Sequence, residues 1–277
     1  MYKQVIAILF LFVASVGAIT LLEPVQQTVG ETPISLGVIG PGQTIAVKFA
    51  RDTGLPAPIN PTTGKNALWD QASIVTPTLP AGWGSKDSLK YENPLTVYVT
   101  SSPAAEKGEY NFSIAFTDEY EGTPTQVADF KVTVDPDVLD VGLVEPTVSA
   151  GIGQPAIFQL VAKNKGAASD TFTIKASGLP YDWQFTKTFF LPRGKEASVY
   201  FEVVGNIQKE VPFQINITSI SSSKITKTAN ARVVTTSDLF QDAKSASLGL
   251  PLFPSAEQQI YALFGLVANL ASQTKLS

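Results

Sequence analysis

Five short motifs occur twice along this chain, in the same order. Leu22-Glu23-Pro24 returns as Val144-Glu145-Pro146, and Gly40-Pro41-Gly42-Gln43 returns as Gly151-Ile152-Gly153-Gln154. Leu79-Pro80-Ala81-Gly82-Trp83 is matched by Leu179-Pro180-Tyr181-Asp182-Trp183. Val97-Tyr98-Val99 is matched by Val199-Tyr200-Phe201, and Tyr110-Asn111-Phe112 by Phe213-Gln214-Ile215. Self-similarity in fixed order means that one structural plan is used twice. The first copy is longer, mainly between Arg51 and Gln71, where Pro56, Pro58, Pro61 and Gly64 mark a surface loop.

Within each copy the apolar residues alternate. Tyr110, Phe112, Ile114 and Phe116 fall on one face of an extended chain, with Asn111, Ser113 and Ala115 on the other. Phe130, Val132 and Val134 behave alike, as do Ile157 to Val161, Val199 to Val203 and Phe213 to Ile217. Period-2 runs of this length, punctuated by Gly and Pro, indicate antiparallel strands with one buried face. Short strands at this spacing close into a sandwich. The expected fold is therefore all-β, with two tandem Ig-like β-sandwiches at residues 19–136 and 137–237. A chain of 277 residues suits two such domains. Pro136 ends the first copy, because it cannot donate a ladder hydrogen bond.

The two ends read differently. Lys3 precedes an apolar run from Val5 to Val16, and Val16-Gly17-Ala18 suits cleavage after Ala18. Residues 1–18 are thus expected to be a signal peptide, the alternative being a signal anchor extending to residue 22. Either places the body outside the cytoplasm. Beyond residue 237 the alternation stops. Residues 238–277 are expected to form a hydrophobic helical tail, capped by Ser255 and carrying Ile260, Leu263, Phe264 and Val267. A helix this apolar calls for a membrane surface, an envelope protein or a second copy of the chain, or its own sandwich.

A family likeness attaches to the second copy. It rests on Gly153-Gln154, Ala162-Lys163-Asn164-Lys165-Gly166, Leu179-Pro180-Tyr181-Asp182-Trp183, Pro192-Arg193-Gly194-Lys195 and the strand from Ala197 to Val203. With these, residues 138–235 resemble the alpha-galactosidase-associated (NEW-three type) Ig-like domains of exported archaeal and bacterial proteins. The chain departs from that pattern at Glu210-Val211-Pro212-Phe213, where the family often shows Gly-x-Tyr. The resemblance implies an extracytoplasmic accessory or structural module rather than an enzyme.

Composition narrows the chemistry. The chain has no histidine and no cysteine. That removes the Ser-His-Asp triad, thiol nucleophiles and thiolate or imidazole metal sites. Carboxylate-pair hydrolysis of glycans survives this test. With a net charge of −4 and no basic stripe, no nucleic-acid partner is expected. Two acidic clusters, Asp118/Glu119/Glu121 and Asp135/Asp137/Asp140, are of the kind that can bind calcium at module junctions, but they lack EF-hand spacing and read as solvated loop charge. No metal site, cofactor or catalytic residue is expected.

Trp83 and Trp183 follow Leu-Pro in the same register, so each is expected to anchor a turn over its core. Trp69 has no counterpart and is the candidate ligand contact. Asn111 and Asn216 head sequons for N-glycosylation and fall on the outward faces of equivalent strands. The sequence thus points to a non-enzymatic structural or adhesive protein of the cell surface. The rival reading is a glycan- or ligand-binding module built on Trp69 and its loop.

Overall fold

A computed structural model describes residues 18–28, 33–57, 59 and 65–237. The expected signal segment before Ala18 and the tail at 238–277, with Ile260, Leu263, Phe264 and Val267, lie outside the described residues. Among the described residues no helix is long and apolar enough to cross a membrane.

The first copy forms β1 (Thr20–Glu23), β2 (Gln27–Thr28), β3 (Ile34–Ile39), β4 (Thr44–Phe49), β5 (Asp52–Pro56), β6 (Asn66–Leu68), β7 (Gln71–Ile74), β8 (Gly84–Lys86), β9 (Leu95–Thr100), β10 (Gly108–Thr117) and β11 (Gln126–Val134). The second forms β12 (Leu139–Leu143), β13 (Thr147–Gly151), β14 (Pro155–Asn164), β15 (Asp170–Ser177), β16 (Thr186–Leu191), β17 (Glu196–Val204), β18 (Lys209–Ser219) and β19 (Thr226–Thr236). The chain divides into two units. One holds the described parts of 1–37, 46–100 and 109–132, and the other those of 38–45, 101–108 and 133–277.

In the first unit, one sheet runs β2-β1-β4-β9-β8 and the other β3-β11-β10-β7. Without β2 and β3 this is the four-plus-three order of a constant-type immunoglobulin domain. The sheets meet through aromatic rings. Phe49 of β4 stands edge-on to Phe116 of β10 at 4.8 Å and to Phe130 of β11 at 5.6 Å. The alternation dictates this packing, since Phe112, Ile114 and Phe116 are all at most 1% exposed.

The second unit has sheets β12-β14-β17 and β13-β19-β18-β15-β16. β13 runs parallel to the last strand, β19, from Thr147↔Arg232 to Gly151↔Thr236. Phe158 of β14 joins the two sheets, edge-on to Phe213 of β18 at 5.4 Å. Both units are therefore Ig-like sandwiches.

The repeated motifs adopt matching local geometry. Gly42 and Gly153 have φ of 72° and 75°, which glycine adopts without steric cost. Each closes a turn in which the next residue donates back, Gln43 N to Gly40 O and Gln154 N to Gly151 O. Trp83 N donates to Pro80 O at 3.1 Å, and Trp183 N donates to Pro180 O at 3.0 Å. Trp83 is 8% and Trp183 3% exposed, so both rings cap a core from the same turn. The strands that follow diverge. β8 pairs with β9, whereas β16 pairs with β15 on the opposite sheet.

Candidate functional site

Of the insertion between Arg51 and Gln71, Pro56 is exposed, and Pro58, Pro61 and Gly64 lie outside the described residues. The described parts of the insertion pair as the hairpin β5–β6, with Thr53, Ala57 and Ala67 buried. Trp69 follows directly and is 0% exposed. Its ring lies 6.0 Å from that of Phe116, and its indole N–H reaches Ala18 O at 3.5 Å. A ring with no exposed face offers no platform to a ligand, so Trp69 is a core residue rather than a ligand contact. The Pro-rich composition marked the segment as irregular, but its unmatched tryptophan fills space over Phe116.

The base of that hairpin carries a cluster of charged side chains. Trp69 N donates to Arg51 O at 2.6 Å, and Arg51 Nε donates to Trp69 O at 2.9 Å. Arg51 also holds Asp70, with Nη2 2.8 Å from Oδ1. Asp70 Oδ2 accepts the Glu119 N–H at 2.9 Å. The β7–β10 ladder pairs Gln71 with Thr117, and Asp70 N donates to Thr117 O at 2.8 Å. This register sets Asp70 beside the loop that joins β10 to β11.

Asp118 organises that loop. Its Oδ1 accepts the N–H groups of Tyr120 and Glu121 at 2.9 and 2.8 Å, and its Oδ2 accepts that of Thr123 at 2.7 Å. Asp side chains commonly bond to backbone a few residues on, and Gly122, with φ of 83°, lets the chain wrap around the carboxylate. Asp70, Asp118 and Glu121 thereby present oxygens within 4.8 Å of one another. Two unit charges at that spacing repel by about 3.5 kcal/mol at an effective dielectric of about 20. Arg51 offsets part of this at Asp70. Burial, and then the Asp118 and Asp70 carboxylates, push the Glu121 carboxyl above its ordinary range. Asp118 moves the other way: burial would raise it, but the N–H groups of Thr123 and Glu121, the Thr123 hydroxyl and the Tyr120 N–H outweigh that.

The sequence pointed to Asp118, Glu119 and Glu121 as solvated loop charge. The structure replaces Glu119 with Asp70. Glu119 turns away to Lys90, with which it forms an ion pair, and to the Tyr91 hydroxyl at 2.8 Å. Tyr91 and the 66% exposed Tyr120 stack at 6.2 Å. Asp70 and Thr123 were missed because nothing in the local sequence links Asp70 to residues 118–123.

The second acidic cluster is answered by lysines. Lys165 Nζ lies 3.1 Å from Asp137 and 3.0 Å from Asp140, Lys227 Nζ lies 2.6 Å from Asp137, and Lys107 Nζ lies 2.8 Å from Asp135. Lys227 and Lys165 hold the Asp137 carboxyl down to about 2.

The sequon asparagines sit on equivalent strands, β10 and β18. Asn111 is exposed, while the Ser113 hydroxyl of its sequon donates to Asp129 at 2.6 Å. Asn216 is half-buried on its sheet, with Nδ2 2.9 Å from Ser177 Oγ and Oδ1 3.1 Å from Thr228 Oγ1. A cavity of about 530 Å³ in the second unit is lined by Ser177, Phe213, Asn230 and Arg232 among others. Its charged lining residue, Arg232, is paired with Glu210.

Asn164, part of the motif behind the family likeness, is 0% exposed. Its Nδ2 donates to Ala168 O at 2.9 Å and Leu191 O at 3.2 Å, and its Oδ1 accepts the Gly166 N–H at 2.9 Å. Its role is to close the turn between β14 and β15.

No family model matches the chain, and no curated protein does. Among solved structures it is similar to the fibronectin(III)-like modules of CbhA from Clostridium thermocellum, at 10% identity over 78% of this chain and 93% of that one, with a TM-score of 0.26. A chimeric titin Z1Z2 is similar at 12% identity over 80% and 98%, with a TM-score of 0.32. A beta-glucosidase from Listeria innocua is similar at 11% identity over 35% of this chain and 16% of that one, with a TM-score of 0.25. The Ig-like assignment itself rests on the strand orders and the two aromatic cores.

Proposed function

We propose that the chain is a non-enzymatic structural or adhesive component of the cell envelope, built on two Ig-like modules and held in place by one or both of its hydrophobic ends. The observation that carries this reading is the pair of sandwiches, a fold used widely as a rigid spacer or binding scaffold. The absence of histidine and cysteine from the sequence agrees with a role outside catalysis. The apolar segment from Val5 to Val16 supports export, and the run from Ile260 to Ala271 supports attachment to a membrane surface or to another envelope protein. The resemblance of residues 138–235 to alpha-galactosidase-associated modules points the same way. The glycan-binding reading loses its main support with the burial of Trp69.

Fractionation of cells producing the full chain tests this. The protein is expected in the envelope fraction with Ile19 at its N-terminus. A variant lacking residues 238–277 should keep its β circular dichroism signal and appear in the soluble extracytoplasmic fraction. Full-length protein found in the cytosol with Met1 retained would overturn the reading. So would turnover of a glycan that a single carboxylate substitution abolishes.

A further inference from the structure

We propose that Asp70, Asp118, Glu121 and Thr123 form a calcium site in the first unit, tying the β5–β6 hairpin base to the β10–β11 loop. The three carboxylates approach within 4.8 Å, and Asp70 is 3% exposed. Two buried oxygens of the cluster are left without a well-aligned hydrogen bond: Glu121 Oε2 and the Thr123 hydroxyl, which lies against the Asp118 carboxylate from a residue only 5% exposed. Buried polar atoms are almost always satisfied, so a pair of orphans beside clustered carboxylates marks a place for a ligand that accepts oxygen donors. A cation answers both the missing partners and the crowded negative charge.

The donor set selects the ion. Every donor is oxygen, which suits a hard cation and not zinc or copper. Calcium takes about 6–8 oxygens in flexible geometry at about 2.3–2.6 Å, with carboxylates binding through one or both oxygens and waters completing the shell. Magnesium demands a near-ideal octahedron and keeps its waters, which fits a loop-built set poorly. The surroundings are prearranged. Backbone N–H groups already orient Asp118, Arg51 and Glu119 N orient Asp70, and Ile59 N holds the Glu121 carbonyl at 3.1 Å. The ion would therefore lock the inserted hairpin to the loop after β10, stiffening one end of the module. Asp137 and Asp140, which already have lysine partners, make the internal contrast.

The test is calorimetric titration of the full chain, cleared of metal with a chelator, with calcium chloride alone. One calcium per chain is expected, with an affinity in the range of extracellular modules, about 10⁻⁴–10⁻³ M. The thermal midpoint should rise with calcium. Glu121→Gln removes a ligand charge without touching the backbone bonds of Asp118, and should weaken binding by about tenfold or more. In chelator the same variant should be at least as stable as the parent, because it also removes a like charge. Thr123→Val should weaken binding by a smaller factor, and Asp140→Asn should leave it unchanged. Circular dichroism confirms that each variant is folded. The proposal fails if no saturable binding is seen up to about 10 mM calcium, well above that affinity range. It fails equally if Glu121→Gln binds as the parent does, or if magnesium binds the same residues as tightly.

Discussion

Replacing Trp69 with alanine separates a core role from a ligand-binding one. The ring is fully buried and stands 6.0 Å from Phe116 at an interplanar angle of 54°. A buried aromatic removes about 150–250 Å² from water, worth about 4–6 kcal/mol at roughly 25 cal/mol per Å² as an upper figure. Large-to-small changes at aromatic core positions cost about 3–5 kcal/mol once partial collapse of the cavity is included. About 4 kcal/mol is therefore expected for Trp69→Ala. With a urea dependence of about 1.5 kcal/mol per M, the unfolding midpoint of the first unit falls by roughly 2–3 M. Urea titration followed by far-ultraviolet circular dichroism reads this directly. Trp69→Phe keeps most of the packing and should lose less than half as much. A loss below about 1 kcal/mol for Trp69→Ala would refute the argument, since surface substitutions fall in that range.

Gly205→Ala should cost about 1–3 kcal/mol by overpacking, because a Cβ there would lie 2.3 Å from Thr235 Cγ2 and 2.8 Å from Trp183 Cη2; thermal unfolding reads the loss, and an unchanged midpoint would contradict it. Asn164→Leu strands the Gly166 N–H and the Ala168 and Leu191 carbonyls, so a loss of about 3 kcal/mol or more is expected in the urea midpoint of the second unit. The third expectation concerns pH. Glu121 has a raised carboxyl pKa in the fold, so its contribution is fully present below its unfolded value and is lost as pH rises through its folded value. Asp118, which is lowered, contributes in the opposite sense, with stability present above its unfolded value and lost as pH falls. In chelator, the parent should therefore lose stability relative to Glu121→Gln as pH rises above the ordinary glutamate range of about 4; a difference in urea midpoint that does not change with pH would show that the carboxylates do not interact.

Much of the fold was legible because alternation is a local property. A strand places successive side chains on opposite faces whatever it pairs with, so Phe112, Ile114 and Phe116 had to share a buried face if they were extended at all. Glycine at positions 42 and 153 marks a turn for an equally local reason, since only glycine takes a positive φ there freely. The Leu-Pro-x-x-Trp motif likewise carries its own hydrogen bond from Trp N to Pro O. These features made two Ig-like sandwiches readable from the chain alone.

What depends on distant partners was not legible. β8 and β16 follow the same tryptophan turn, yet they join opposite sheets. β16 carries Phe189, which stacks on Phe172 at 5.6 Å, and the fully buried Leu191, so it gains by pairing with β15. β8, at Gly84–Lys86, buries nothing and pairs briefly with β9. Trp69 looked available because composition reports irregularity but not burial; only the packing of the hairpin base against Phe116 decides its exposure. The calcium cluster is the clearest case. The sequence presents Asp118 and Glu121 in one loop, but Asp70 reaches them solely through the pairing of Gln71 with Thr117. Strand register, which is set by the global fit of two apolar faces, brings charges together that the linear chain keeps far apart.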